Sequence, residues 1–263
     1  MFFKNSLAIA AIIGMFPLAV QAETIKVAVA ANFTATLTSI AADYAAATGN
    51  TVTITSGATG DFEAAIITNN GASGGYDLFL AANSAAPADL YNNHQSLVYS
   101  AGSPAVYATP FTYAKGALEL WSNGAVDVSA GLPASGDFAY ANPTTAPYGY
   151  AASQVLSGTY GITLPNARGY QYADIGATYT AIKNGVKPMG FVAKSQICVN
   201  GSYPTGTHHS YTSGYTPIVQ NGIKLARSGR TTDETDVLND FVSYMTTDST
   251  ALARISSACY DLP

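Results

Sequence analysis

The chain has 263 residues, of which 11 are Lys or Arg and 16 are Asp or Glu, giving a formal charge of −5 with only 10% charged residues. Such an acidic balance makes it a poor partner for nucleic acid or for an anionic membrane surface.

The first 22 residues have the layout of a secretory signal peptide. Lys4 supplies the positive start, Leu7 to Leu18 an apolar core interrupted by Pro17, and Val20-Gln21-Ala22 a small-residue cleavage site before Glu23. That core is too short for an ordinary membrane span. Removing it also removes Lys4, so ten basic residues face sixteen acidic ones in the mature chain. What remains is long enough for one large α/β domain or for two lobes with separate cores. Export exposes Cys198 and Cys259, the two cysteines, to oxidation. They either pair or stay as two buried thiols, because their separation in space is not readable from the letters.

From Val27 the chain reads as alternating strand and helix. Val27-Ala28-Val29-Ala30-Ala31 is a run of small and β-branched residues without polar alternation, the pattern of a parallel strand covered on both faces. Asn32-Phe33-Thr34 then turns into a helix carrying Leu37, Ile40, Ala41, Tyr44 and Ala47 at helical spacing. The first N–H groups of such a helix lack intrahelical acceptors, which makes the turn a candidate anion site; its plainer reading is a helix cap. Thr51 to Thr55 is the second strand, and Ser56-Gly57-Ala58-Thr59-Gly60-Asp61 leads into a second helix with a free hydroxyl at Thr59. Gly71-Ala72-Ser73-Gly74-Gly75 spells a hydrolase nucleophile elbow but lies between a helix end and a strand, so it reads as a loop. Tyr76 to Ala82 is the third strand, followed by a helix from Asn83.

The character changes around Thr109 to Gly116, where the chain leaves the first lobe. In the second series, Phe138-Ala139-Tyr140-Ala141 runs through Asn142-Pro143 to Ala146-Pro147-Tyr148-Gly149, with Pro147 suited to a first helical turn. A fourth junction is Tyr172-Ala173-Asp174-Ile175-Gly176, and Met189 to Lys194 is another buried strand. Gln196 to Tyr215 reads as a polar loop in which His208-His209 is solvated rather than metal-bound. Thr231-Thr232-Asp233-Glu234 is a capping box for a final helix bearing Val237, Phe241, Tyr244 and Met245. The expected division is therefore 1–22 signal peptide, 23–112 plus 216–263 lobe 1, and 113–215 lobe 2.

Two α/β lobes joined by two crossings enclose a cleft, and α/β sheets bind ligands at the carboxyl ends of their strands. Four polar junctions fall at such ends, offering backbone N–H groups, hydroxyls and the amide of Asn32, and none of them contains Arg or Lys. Neutral donors of this kind suit a small, fully ionised oxyanion. A hydrolase would need a nucleophile and base in register, which His94, His208 and His209 do not provide, so no enzymatic role is expected.

The blocks Val29-Ala30-Ala31-Asn32-Phe33-Thr34, Ser56-Gly57-Ala58-Thr59-Gly60, Tyr76 to Ala82, Phe138 to Gly149 and Gly190-Phe191-Val192-Ala193-Lys194-Ser195-Gln196 stand in an order that resembles the periplasmic molybdate-binding proteins of ABC importers. The similarity runs from Thr24 to the final helix. It implies a type II periplasmic binding fold in which each lobe is a mixed sheet flanked by helices and a two-stranded hinge joins them. Carried over residue by residue, it places the ligand against Asn32 with the Ala31 and Phe33 backbone, the Thr59 hydroxyl, Tyr148, and the N–H of Ile175. It further implies a monomer without cofactor or resident metal, which captures molybdate or tungstate and hands it to a permease in the inner membrane. Another tetrahedral oxyanion such as sulfate, or ferric iron held by tyrosines, is the alternative cargo. This sequence departs from the family pattern at Thr59, where serine is usual, and at Ala193, which has no hydroxyl; Cys198 and the long segment after it are also unlike the family. A Cys198–Cys259 disulfide would tether the lobes near the hinge.

Overall fold

The structure, a computed structural model, describes residues 22–70 and 75–263. The expected signal peptide, through Gln21, and residues 71–74 of the elbow-like segment lie outside the described residues. The first lobe opens with β1 (Thr24–Ala30), a 3-10 turn (Ala31–Phe33), α1 (Thr34–Thr48), β2 (Thr51–Gly57), α2 (Thr59–Asn69), β3 (Leu78–Leu80) and α3 (Ala85–Asn93). A small hairpin of β4 (Ser100–Ala101) and β5 (Val106–Tyr107) precedes β6 (Phe111–Gly116). The second lobe contains β7 (Leu118–Ser122), β8 (Phe138–Ala141), α4 (Pro147–Tyr160), β9 (Gly169–Tyr172), α5 (Ile175–Lys183), β10 (Gly190–Ala193), α6 (Lys194–Ile197) and β11 (Thr207–Ser210). The chain returns through β12 (Ile218–Lys224) and ends with α7 (Thr232–Thr247) and α8 (Ser249–Ser257).

Each lobe holds one mixed five-stranded sheet, in the orders β2-β1-β3-β12-β6 and β11-β7-β10-β8-β9. Strand β1 is parallel to both its neighbours, and its residues Val27, Ala28, Val29 and Ala30 are buried, as the unalternating apolar run requires. In the first core, Val27, Leu37 and Leu80 pack with Phe241 and Ile255 from the C-terminal helices. Leu120, Phe138, Val155 and Phe191 form the second core, which also takes in Ala30, Ala82 and Ile218 from the first lobe. The lobes therefore touch through apolar surface as well as through their connections. The capping box forms as expected: Glu234 N–H donates to Thr231 Oγ1 at 3.0 Å, and Thr231 N–H to the Glu234 carboxylate at 2.8 Å.

Three expectations change. Strand β6 pairs with β12 up to Gly116 opposite Ile218, so residues 113–116 belong to the first sheet and the outward crossing falls at Ala117. The segment from Gln196 to Tyr215 is not all loop, because β11 pairs antiparallel with β7 as an edge strand. Its polar letters are explained by Glu119, buried on β7, which accepts from Ser210 Oγ at 2.8 Å and lies 3.2 Å from His208 Nδ1. The helix opened by the capping box is α7 and it is not the last one, because Asp248 ends it and caps a further helix, α8, by accepting from Thr250 N–H. The cysteines are joined as a Cys198–Cys259 disulfide with 5.9 Å between their Cα atoms.

Candidate functional site

The four strand-to-helix junctions converge between the lobes on a small cavity of about 10 Å³, counted as the space open to the centre of a water-sized sphere. Ala31, Asn32, Thr59, Tyr148 and Ile175 all line it, with Ala58, Ala82, Ala146 and Asp174 among their neighbours. Phe33 does not. Its ring points into the first core, with its centroid 4.7 Å from that of Tyr113 and 5.3 Å from that of Tyr260. The ring is fully buried in the cluster that holds Val29, Leu37 and Tyr113.

Each junction delivers donors by a local device. At α2, Ala58 is the N-cap and its carbonyl takes the N–H of Phe62, leaving the N–H of Thr59 without an intrahelical acceptor. Thr59 Oγ1 accepts from Ala82 N–H at 3.0 Å, so its own proton is free to be donated into the cavity. Helix α4 begins with Pro147 at its first position, and Tyr148 N–H is the first donor that the helix mouth offers. Gly149 behind it has no substitute: an added Cβ would run into the Ala141 carbonyl at the end of β8. At α5, Asp174 caps with Oδ1 2.8 Å from Ala177 N, and the Ile175 N–H is left over.

Asn32 behaves differently from its expected part as an amide donor. Its Nδ2 donates to Gln220 Oε1 at 2.8 Å and to Tyr260 OH at 2.9 Å, and its Oδ1 is buried without a partner. Only its backbone N–H is left as a donor for a ligand. Behind the turn, Gln220 on β12 has its Oε1 3.1 Å from Tyr113 OH and donates to Tyr148 OH at 3.4 Å. One buried amide on the hinge strand thus holds the Asn32 turn of the first lobe and the Tyr148 side chain of α4 in the second. Gly116 faces the same spot, and a Cβ there would overlap the Tyr148 hydroxyl and approach Gln220 Nε2 to 2.7 Å. Gln220, Tyr113 and Tyr260 were not among the sequence candidates; nothing local marks them, since they reach Asn32 or its partners across more than a hundred residues of chain.

No Lys or Arg lines the cavity, and Asp174 is its one carboxylate. Burial holds the phenols of Tyr113, Tyr148 and Tyr260 well above the ordinary tyrosine range, with neighbouring phenols adding to the effect at Tyr113 and Tyr148. They stay neutral and hydrogen-bonded at physiological pH. The lobes are closed on one another. Gly60 N–H donates to Thr145 O at 2.8 Å across the cleft, and a Cβ built on Gly176 would lie 3.2 Å from the Ala31 Cβ. Among the described residues, no three His, Cys, Asp or Glu side chains come together as a metal site. Nor is any helix among them long and apolar enough to cross a membrane.

A family model described as bacterial extracellular solute-binding protein matches residues 25–253. The molybdate-binding protein ModA of Azotobacter vinelandii is 34% identical over 248 residues, covering 92% of each chain. This chain belongs to the ModA-type solute-binding proteins. The ModA protein of Rhodobacter capsulatus, also a molybdate-binding protein, is 34% identical over 72% of this chain and 71% of its own. The solved periplasmic molybdate-binding protein of A. vinelandii superposes on the ModA-type fold described above with a TM-score of 0.77 at 32% identity, covering 91% of this chain and 99% of that one. That likeness spans both sheets, as the type II binding-protein fold requires.

Proposed function

We propose that this protein is the extracytoplasmic receptor of an ABC importer, that it closes its two lobes on molybdate or tungstate, and that it passes the oxyanion to an inner-membrane permease. The observation that carries this reading is the convergence of four helix starts on one small cavity that contains neutral donors and no cation. An oxyanion that keeps its full charge and carries no proton is matched by donors alone. In this reading Thr59 donates its hydroxyl, and Ala31, Asn32, Tyr148 and Ile175 donate backbone N–H groups. Phe33 contributes by fixing the turn rather than by touching the ligand. The relatives named above, molybdate-binding proteins sharing a third of this sequence, support the choice of molybdate over other anions.

Ferric iron is disfavoured by the tyrosines themselves. Phenolate ligands must lose their protons, whereas Tyr113 OH donates to Ala81 O at 2.9 Å and Tyr260 OH to Asn32 O at 2.8 Å in an environment that raises the cost of ionisation. Sulfate carries the same charge as molybdate in a smaller volume, so discrimination rests on donor spacing in the closed cavity. Isothermal titration of the mature, ligand-stripped protein with molybdate, tungstate, sulfate and phosphate tests the assignment. Tight binding of the first two with weak or silent sulfate and phosphate is the expected result. Silence to molybdate and tungstate would overturn it.

A further inference from the structure

We propose that Tyr260 is a positioning residue for the Asn32 turn and that the Cys198–Cys259 disulfide keeps it in place, so that anion affinity depends on the redox state of this pair. The inference rests on the receptor reading above and extends it to control of the same site.

Tyr260 follows α8 near the chain end, yet it is only 4% exposed. Its hydroxyl donates to Asn32 O at 2.8 Å and accepts from Asn32 Nδ2 at 2.9 Å and from Ser195 Oγ at 2.8 Å. One phenol therefore grips the anion turn by backbone and side chain and ties it to α6 of the opposite lobe. Cys198, which caps the other end of α6, is bonded to Cys259, the residue before Tyr260. The short helix is thus pinned to the C-terminal segment twice, at Ser195 by a hydrogen bond and at Cys198 by a covalent one.

The segment around Cys259 shows the constraint. Cys259 has φ of +60°, a left-handed conformation that a non-glycine residue holds only where its surroundings impose it. Asn200 N–H donates to Ser257 O at 2.8 Å, and Lys115 and Asp261 exchange backbone hydrogen bonds at 2.8 and 3.1 Å. The segment after α8 is tied to the hinge strand and to the second lobe. Reduction by a dithiol such as dithiothreitol transfers two electrons and two protons to the disulfide, giving two thiols and the oxidised reagent. The C-terminal residues then lose their covalent anchor. Each time they fray, Asn32 loses the shorter of the two donors to its carbonyl and one acceptor for its amide, which then has Gln220 as its remaining partner.

The test uses Tyr260→Phe, the paired Cys198→Ser and Cys259→Ser variant, and the combination of all three, titrated with molybdate and melted without it. Both the Phe and the Ser variants should weaken binding by roughly tenfold, the scale of losing one or two buried hydrogen bonds. Because the disulfide acts through Tyr260, the triple variant should also sit near tenfold rather than a hundredfold, although its melting temperature falls further. Unchanged affinity in Tyr260→Phe, or effects that multiply, would overturn the proposal. Should the serine variant not fold, oxidised and dithiothreitol-reduced wild type take its place in the same comparison. A ligand-free measurement separates this inference from the receptor reading: amide hydrogen exchange at residues 31–34 should accelerate in Tyr260→Phe and in reduced wild type. Accelerated exchange in a protein silent to molybdate would support the positioning role and sink the receptor reading. Unchanged exchange would sink the positioning role alone.

Discussion

Replacing Thr59 with valine keeps the volume of the side chain and deletes only the hydroxyl, which has two jobs. As an acceptor it satisfies Ala82 N–H at 3.0 Å in a site where Thr59 is 2% exposed. Leaving that buried N–H unpaired costs about 1–3 kcal/mol of stability, or a fall of several degrees in Tm for a chain of this size. In the proposed reading it also supplies, as a donor, the one side-chain hydrogen bond to the anion. A hydrogen bond to a charged group is worth about 1.5–3 kcal/mol, so the Kd for molybdate should rise by roughly 10- to 150-fold. Thr59→Ser keeps both functions and should stay near wild type in both measurements. Calorimetric titration and thermal melting of the three proteins read the two effects separately. If Thr59→Val lost stability but bound molybdate with wild-type affinity, the hydroxyl would serve Ala82 alone and the placement of the ligand against α2 would be wrong.

Three further perturbations isolate other parts of the site. Gly60→Ala adds a Cβ that would stand 3.0 Å from Thr145 Cα in the other lobe, so it should weaken molybdate binding at least several-fold while leaving the Tm of the ligand-free protein within a degree or two; equal losses in both would mean that the contact is not specific to closure. Asp174→Asn keeps an oxygen to cap Ala177 N–H and removes the one carboxylate lining the cavity, so molybdate binding should tighten by roughly three- to tenfold, and weaker binding by titration would refute the electrostatic argument. At high pH, the folded protein keeps the phenol protons of Tyr113, Tyr148 and Tyr260 while the unfolded chain releases them, so the unfolded state binds fewer protons and stability falls as pH rises through about 10. Three such groups correspond to a slope of about 4 kcal/mol per pH unit, and a Tm that stayed flat between pH 9 and 11 would contradict it.

The junctions that build the cavity were readable because each is a local pattern. An apolar run gives way to Gly, Pro, Thr or Asn, and helical spacing follows; nothing distant is needed to recognise Ala146-Pro147-Tyr148 or Asp174-Ile175 as a helix mouth. What could not be read is where side chains find partners. Asn32 was expected to donate its amide to the ligand, but Gln220 and Tyr260, 188 and 228 residues away, have taken that amide. The edge strand β11 was invisible for the same reason, since its polar residues make sense only against the buried carboxylate of Glu119. Strand β6 was cut at residue 113 because its last residues, Ala114-Lys115-Gly116, have no strand signature apart from β12 beside them.

The Gly60–Thr145 hydrogen bond and the approach of Gly176 to Ala31 join the two lobes beside the small cavity. In the proposed reading an ion held there is contacted by both lobes, so parting the lobes at the hinge removes half of its donors. Its residence time is therefore bounded by how often β6 and β12 let the lobes part, however many donors surround it. A mutation at Gly116 or Gln220, with no contact to the ion, would retime its release. For a receptor that must surrender its cargo to a transporter, this places the clock in the hinge and the grip in the helix starts.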